Sequence, residues 1–335
     1  MRWFVLTATI LVLIALLAGG AAFYSYSYVT DPTRLSVEPV EILIQHGDSL
    51  PVVANELQQA GVIKRAWPFE WLARYQEKDD KIKAGEYHFE GNVSLIEILD
   101  KLVEGSVVTY EVQLREGARL EEYLVLLRNT DKLVNDLSDV TPVNVLERLQ
   151  LRSTATHGEG LFYPDTYQYR RGESASSVLN QAFDLMNQEL SLAWFSQSEL
   201  VQVDTKYELL IVASMIERES HIQADRERVS GVIHRRLALD MFLQIDPTVI
   251  YALGEDFRGR LWRRDLRIDS PYNTYRVKGL PPSPICASSR EAIRAAANPA
   301  PGKDLFFVSR GDGTSQFSET LEEHNRAVAR YIRNR

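Results

Sequence analysis

Two glutamates stand at the end of a long apolar run, in the stretch SMIERESH at residues 214–221. Asp and Glu side chains are rarely buried unless they are paired or used for chemistry. Burial among apolar walls disfavours the charged form of a carboxyl group, so its pKa rises and it can serve as a general acid at neutral pH. Glu217 and Glu219 are therefore candidate catalytic groups, although the pattern also fits a solvated helix end.

Helical geometry separates the two glutamates. Side chains two positions apart point to nearly opposite sides of a helix, so Glu217 and Glu219 cannot both face one cleft. Glu219 lies over Met215 and Ile216, which form the deeper apolar stripe, and is the better candidate for a desolvated acid. Glu217 is expected to orient a loop or to pair with one of three nearby cations: Arg218, Arg226 or Arg228.

Polar and aromatic side chains are mixed in two later segments, FLQIDPTVIYALG at 242–254 and SPYNTYRVKGLPPSPI at 270–285. Sugar-binding clefts use this mixture, because amides and carboxylates hydrogen-bond to hydroxyl groups while aromatic faces pack against the rings. The candidates for substrate binding are Gln244, Asp246, Tyr272, Asn273 and Tyr275. Asp246 is also a rival second catalytic carboxylate, and Asn273 has an alternative interpretation as a turn residue.

Regular elements must hold these groups in place. Apolar residues cover most of the circumference at 207–220, which predicts a buried helix. The periodicity at 228–241 predicts an amphipathic helix, and the segment 305–317 predicts a hairpin around RGDGT. The aromatic stretch EGLFYPDTYQY at 159–169 either lines a sugar cleft or packs in the core, and its composition favours the core.

The segment that begins near residue 40 predicts the order strand, helix, helix, strand over about fifty residues, from its periodicity and its turn residues. The turn HGDSL at 46–50 and the stretch IKAGEYHF at 82–89 resemble a LysM module. LysM modules bind polymers of N-acetylglucosamine such as peptidoglycan. Glycan binding and simple support of the neighbouring domain both remain open for this lobe, because a fold does not settle a function.

Composition limits the classes of protein. A chain of 335 residues is long enough for two or three domains. Its net charge of −8 argues against nucleic acid as a partner. Cys286 is the one cysteine, so no internal disulfide forms, and no spacing of Cys and His predicts a metal site. No cofactor is expected, and no nucleotide-binding loop or catalytic-triad pattern occurs.

The N-terminal stretch 3–23 contains no charged residue, which is about the 20 residues needed to span a bilayer. The aromatic run FYSYSY at 23–28 is typical of a membrane interface. Arg2 precedes the stretch, so the positive-inside rule predicts a cytoplasmic N-terminus and an extracytoplasmic remainder. A cleaved signal peptide with small residues near Ala21 and Ala22 is the alternative.

The complete set of motifs resembles the endolytic murein transglycosylase family, also called MltG or YceG-like. The matching motifs run along nearly the whole chain: EGLFYPDTY, ASMIERES, LQIDPTVIYALG, SPYNTYRVKGLPPSPI and, at 317–325, FSETLEEHN. The resemblance implies that Glu219 is the catalytic acid. It also implies a supporting Ser220 and a glutamine loop carrying Gln244. Ser220 stands where close members often have Thr.

The resemblance implies an α+β fold with three parts. These are a transmembrane anchor at 1–29, a LysM-like α+β lobe at 30–108, and an α+β catalytic domain at 109–335 whose buried helix carries the catalytic glutamate. The expected location is the bacterial inner membrane, with the catalytic domain in the periplasm. Peptidoglycan glycan strands are the implied substrate, and peptidoglycan synthases such as penicillin-binding proteins are the implied partners.

The implied reaction is cleavage between N-acetylmuramic acid and N-acetylglucosamine within nascent strands, which leaves 1,6-anhydro ends and ends strand growth. It uses one carboxylate, whereas ordinary glycosidases use two. Two alternatives stay open: a catalytically inactive scaffold that binds peptidoglycan, and a muramidase that hydrolyses the same bond.

Overall fold

The computed structural model describes residues 2–31 and 36–333. The chain forms two compact units, one ending at Tyr110 and the other beginning at Glu111; the boundary falls within the short strand Tyr110–Gln113, which is described with the second unit. Helices and short strand pairs alternate in both units, and the predicted α+β class is confirmed.

The first unit contains an N-terminal helix and a small lobe. Its elements in chain order are α1 Arg2–Thr30, β1 Ser36–Ile44, α2 Leu50–Gln59, α3 Ala66–Tyr75, β2 Gly85–Asn92 and α4 Leu95–Glu104. β1 and β2 pair antiparallel, with Ile42 opposite Tyr87 and Ile44 opposite Gly85. The predicted order of strand, helix, helix and strand is confirmed.

The lobe is built around one apolar core. Leu57, Phe69, Tyr87 and Leu99 are among its fully enclosed side chains. α4 begins at a reciprocal cap, because the Ser94 hydroxyl accepts from the backbone N–H of Glu97 and the Glu97 carboxylate accepts from that of Ser94. The helices of the lobe and the β1–β2 pair share this core.

α1 is apolar along most of its length. Its segment Thr9–Thr30 contains an apolar window of 18 residues with a mean hydropathy of 1.9, and no residue of that window is buried inside the protein. By length and composition this helix can cross a membrane. Near the C-terminal end of α1, Val29 is buried in the core of the lobe, and Tyr28 packs against that core. The last turn of α1 is therefore part of the lobe's own packing.

The second unit surrounds a central helix. Its elements are β3 Tyr110–Gln113, α5 Leu120–Arg128, α6 Val145–Arg148, β4 Thr166–Tyr169, α7 Ala175–Phe195, α8 Lys206–Glu219, α9 Gln223–Ala238, α10 Asp246–Leu253, α11 Arg290–Ala297, β5 Phe306–Ser309, β6 Ser315–Ser318 and α12 Leu321–Val328. α7, α9, α10 and α11 all contact α8. Every residue of α8 from Leu209 to Glu217 is buried, which confirms the predicted core helix.

Other local predictions have mixed outcomes. The hairpin is confirmed, since β5 pairs antiparallel with β6. α9 begins at Gln223, five residues before the predicted start at 228, because its first turns are polar and carry no apolar period. The aromatic stretch at 159–169 packs inward, with Phe162 and Tyr167 buried, as its composition favoured.

Two glycines with positive φ differ in what an added Cβ would meet, so replacing each by alanine distinguishes the cost of backbone strain from that of a steric clash. A Cβ at Gly160, where φ is 76°, would lie 2.8 Å from Cγ of Pro284 and 3.1 Å from the carbonyl oxygen of Cys286. At Gly172, where φ is 85°, a Cβ meets nothing within 4 Å. We therefore expect Gly172→Ala to cost about 1–2 kcal/mol of stability and Gly160→Ala roughly 2–5 kcal/mol.

The measurement is the urea midpoint of each variant as full-length protein in detergent, followed by circular dichroism. Equal midpoints for the two variants would show that the Gly160 turn relaxes without a clash.

Candidate active site

α8 carries both glutamates to the end of the core. The helix begins at a cap in which the Thr205 hydroxyl accepts from the backbone N–H of Glu208. It ends at Ser220, whose backbone has left the helical conformation. Because α8 is held on several sides, the direction of its last turn is fixed. Glu217 and Glu219 consequently enter two different environments.

Glu219 faces a cavity of about 610 Å³. Protein surrounds most of the Glu219 side chain, which is partly exposed on the side that faces the cavity. Burial, together with the smaller effect of the negative charge of nearby Asp246, raises the pKa of Glu219 to about 8. The carboxyl group therefore holds its proton at neutral pH, as a general acid must.

The cavity wall combines polar groups with an apolar side. Its lining residues are Glu219, Arg236, Leu243, Gln244, Asp246, Tyr275, Phe306, Phe307, Val308, Ser309, Leu321, His324, Asn325, Val328 and Ile332. These come from α8, α9, the start of α10 and the residues before it, the loop that carries Tyr275, the β5–β6 hairpin, and α12 with the turn after it. Three of the five predicted substrate-binding residues, Gln244, Asp246 and Tyr275, lie here together with the predicted acid.

Gln244 is held in an uncommon backbone conformation. Its φ of 56° lies in the left-handed region, which non-glycine residues rarely adopt. The backbone N–H donates to the carbonyl of Thr274 at 3.1 Å, and Nη1 of Arg236 donates to the side-chain Oε1 at 3.1 Å. The guanidinium of Arg236 also binds the carbonyls of Phe242 and Leu243. One buried arginine therefore fixes the loop that leads to Asp246.

Tyr275 connects the two loops of the site. Its hydroxyl donates to Oδ1 of Asp246 at 2.5 Å. Burial raises the pKa of Tyr275 far above its usual range, and the charge of Asp246 adds to the effect. The phenol therefore remains a hydrogen-bond donor at any working pH. It orients the exposed carboxylate of Asp246 beside Glu219.

Tyr272 and Asn273 take positions outside the described cavity lining. Asn273 is fully buried, and its Nδ2 donates to the carbonyls of Leu266 at 3.1 Å and Ile268 at 2.8 Å. The Tyr272 hydroxyl lies 2.6 Å from Oγ of Ser283. The geometry of Asn273 favours the turn-residue alternative over contact with substrate, because its amide is used to hold the loop.

Glu217 lies in a closed polar cluster. Nη2 of Arg226 donates to Oε1 at 3.0 Å, and the backbone N–H of Ser289 donates to Oε2 at 2.9 Å. The Ser289 hydroxyl also donates to Oε2. Nε of Arg226 reaches the carbonyl of Ser220 at 2.7 Å. Of the three cations expected as partners, Arg226 forms the pair, and it also holds the turn that follows Glu219.

Ser220 shapes the same turn. Its Oγ accepts from the backbone N–H of Ile222 at 3.2 Å. The side chain is buried. This places Ser220 directly after Glu219 in a rigid bend rather than in open solvent.

A further buried carboxylate, Glu159, was not predicted as a site residue. It accepts from the backbone N–H of Leu120 at 2.9 Å and from the Tyr251 hydroxyl at 3.3 Å. Burial raises the pKa of Glu159 to about 7, and these hydrogen bonds oppose the rise. The signal available in the sequence was an acidic residue at the head of the aromatic motif EGLFYPDTY.

Comparisons with known proteins show which family the chain resembles. The model of the YceG-like family matches residues 42–330. An endolytic murein transglycosylase from Bacillus subtilis (strain 168) is 31% identical over 333 residues, which cover 95% of this chain and 91% of that protein. A protein of the same name from Streptococcus pneumoniae is 27% identical over 97% of this chain. The chain spans 65% of the length of that relative.

A crystal structure of a YceG-like protein from Listeria monocytogenes, at 2.6 Å resolution, has a TM-score of 0.52 and 28% identity to this chain. The similarity covers 86% of this chain and 98% of the other. The curated relatives are named endolytic murein transglycosylases, which are lytic transglycosylases of the lyase class. The chain belongs to the YceG-like family.

The Glu217–Arg226 ion pair is predicted to stabilise the turn that follows Glu219. Both side chains are less than a tenth exposed. Replacing Arg226 by Met leaves Glu217 buried and unpaired, which costs roughly 3–5 kcal/mol. Urea unfolding of the full chain measures the loss.

Two controls separate this effect from a general loss of charge. The double variant Glu217→Gln/Arg226→Met should recover much of the stability, since no unpaired charge remains. Lys278→Met, at the exposed pair with Asp240, should change stability by at most about 1 kcal/mol. An Arg226→Met protein as stable as the wild type would mean that the pair does not hold this turn.

Proposed function

We propose that the protein is a membrane-anchored endolytic transglycosylase of peptidoglycan, with Glu219 as its general acid and base. The observation that carries the proposal is one carboxyl group at the end of a buried helix, protonated at neutral pH and facing a cavity of about 610 Å³. The names of the relatives supply the substrate class.

The reaction begins with proton transfer. Protonated Glu219 gives its proton to the glycosidic oxygen between N-acetylmuramic acid and N-acetylglucosamine. The bond from the muramic anomeric carbon to that oxygen breaks through an oxocarbenium-like state, and the N-acetylglucosamine side leaves with the proton. Its raised pKa suits Glu219 to this donation.

The second step closes a ring. Glu219, now ionised, takes the proton of the muramic 6-hydroxyl, whose oxygen forms a bond to the anomeric carbon of the same sugar. The product carries a 1,6-anhydro end, no water is consumed, and Glu219 is protonated again. Because the attacking hydroxyl belongs to the substrate, no second carboxylate is needed to activate water.

The other cavity residues bind and orient the substrate. Asp246 and Gln244 offer acceptors and an amide to sugar hydroxyls, and Tyr275 holds Asp246 in place. Asp246 also keeps the pKa of Glu219 high through its charge. Glu217 and Ser220 support the acid from behind, since their contacts fix the turn after α8. Tyr272 and Asn273 stabilise the loop that carries Tyr275.

The parts of the chain outside the catalytic unit hold the enzyme at the membrane. α1 anchors it in the bacterial inner membrane, with the N-terminus in the cytoplasm and residues 30–108 and 109–335 on the periplasmic side. The apolar span of α1 supports the membrane crossing, and Arg2 before it supports the orientation. Cleavage close to the membrane ends the strands that peptidoglycan synthases extend, and the lobe at 30–108 either binds glycan strands or supports the catalytic domain.

Product analysis tests the proposed reaction. Full-length protein in detergent is incubated with uncrosslinked glycan strands, and the fragments are analysed by mass spectrometry. We expect anhydro-ended fragments, and a roughly 100- to 10,000-fold lower rate for Glu219→Gln, since that is the usual contribution of a general acid. Asp246→Asn should still form the anhydro product.

Three results would contradict the proposal in different ways. Fragments heavier by one water would indicate a muramidase. An Asp246→Asn protein that stays folded and is as inactive as Glu219→Gln would require a second catalytic carboxylate. An inactive, well-folded wild type would favour the scaffold alternative.

The pH dependence tests the role of burial. Because Glu219 must be protonated, kcat/KM should stay constant below a pKa of about 8 and fall tenfold per pH unit above it. Asp246→Asn removes a negative charge that raises this pKa, so the falling limb should move to lower pH. Asp240→Asn, at an exposed pair away from the cavity lining, serves as the control. If kcat/KM of the wild type began to fall near pH 4.5, Glu219 would be ionised in the working enzyme.

A further inference from the structure

A second cavity lies within the first unit, where the end of α1 meets α3. Its volume is about 670 Å³. The lining residues are Tyr24, Ser25, Tyr28 and Val29 from α1, and Lys64, Arg65, Trp67, Pro68 and Trp71 from α3 and the turn before it. The wall is therefore aromatic with two cations at one side.

α3 presents an aromatic face outward. Trp67, Trp71 and Tyr75 recur every four residues, so they lie along one side of the helix. They are 64%, 50% and 73% exposed, and the rings of Trp71 and Tyr75 stack at 5.1 Å. The opposite side of α3, with Phe69 and Leu72, fills the core of the lobe. Three large exposed aromatic side chains in a row mark an interaction surface.

The position of the aromatic face of α3 relative to the bilayer follows from the length of α1. A helix of 29 residues is about 43 Å long, which is close to the 40–45 Å of a bilayer with its headgroups. The charge-free stretch 3–23 fills the hydrocarbon core, so Tyr24–Tyr28 fall in the headgroup layer. Val29 is buried in the core of the lobe, which prevents the lobe from moving away from the helix end. The aromatic face of α3 is thereby held at the level of the headgroups.

We propose that this face of α3 and the adjoining cavity bind the lipid headgroups of the outer leaflet of the same membrane. The Trp and Tyr rings enter the interface, and Lys64 and Arg65 pair with lipid phosphates. The inference rests on the membrane anchor in the proposed function. It adds a second point of attachment, which fixes the orientation of the lobe on the bilayer.

The chemistry of the residues favours lipid as the occupant. Trp and Tyr are amphipathic and concentrate at membrane interfaces, where the ring is shielded while the N–H or O–H stays wet. Lys64 and Arg65 are exposed cations on a chain whose net charge is −8. Their charge complements the phosphate of lipid headgroups, which the uncharged hydroxyl and acetamido groups of an N-acetylglucosamine polymer do not offer.

Quenching of tryptophan fluorescence by brominated lipids tests the contact. The full chain contains five tryptophans, of which Trp3 lies in the anchor, so the experiment uses a Trp3→Phe background. The protein is reconstituted in vesicles of phosphatidylcholine and phosphatidylglycerol, with bromine placed on the acyl chains near the carbonyl groups. We expect strong quenching that is mostly lost in Trp67→Phe/Trp71→Phe and unchanged in Trp262→Phe, an exposed tryptophan of the second unit.

The cations have their own test. Lys64→Gln/Arg65→Gln should remove the extra quenching that phosphatidylglycerol gives over pure phosphatidylcholine. Lys81→Gln, an exposed lysine outside the cavity lining, is the matched control. If quenching in the cation variant responds to phosphatidylglycerol as it does in the parent protein, the proposed phosphate contacts are wrong.

Other outcomes separate this inference from the proposed function. Protein that floats with the vesicles but is not quenched would overturn the lipid contact and leave the anchor intact. Protein that does not float with the vesicles would overturn the anchor as well. Protection of Trp67 and Trp71 by soluble N-acetylglucosamine oligomers, without quenching by lipid, would make the cavity a glycan site instead.

Discussion

The partial removal of water around one carboxyl group is the constraint on which the rest of the catalytic unit depends. An ionised carboxylate without partners is costly in an apolar setting, so the group keeps its proton. For Glu219 this requires a helix that is buried nearly to its last residue, and α8 meets that requirement through its packing against α7, α9 and α11. The β5–β6 hairpin and α12 complete the enclosure.

Glu217 and Glu219 show how one residue of separation changes the chemistry of a side chain. Glu217 has an arginine, a backbone N–H and a hydroxyl as partners. For Glu219, no side-chain hydrogen bond is formed within residues 2–31 and 36–333, and the negative charge of Asp246 adds to the rise of its pKa. The first arrangement fixes structure, and the second leaves a proton available for transfer.

Much of the fold could be predicted because it depends on local patterns. Apolar periodicity located the strand, helix, helix, strand order of the lobe, the core helix α8 and the C-terminal hairpin. The contacts of Glu217 with Ser289 span 72 residues, and those of Glu159 with Tyr251 span 92, so no local pattern contains them. Asn273 was assigned to substrate by its residue type, but its amide is used within the loop. Glu219 was predicted as the acid from the apolar stripe beneath it and from the family motif, but the cavity it faces and the effect of Asp246 on its pKa needed the structure.

The measurement closest to the central claim is the titration of Glu219 itself. Protein labelled with ¹³C at its glutamate carboxyl carbons is titrated by NMR, and the resonance of Glu219 is the one absent from Glu219→Gln. The account predicts an inflection near pH 8, produced by burial and by the charge of Asp246. An inflection near the ordinary value of 4.5 would contradict it, because an ionised Glu219 could not donate the proton that the single-carboxylate reaction needs.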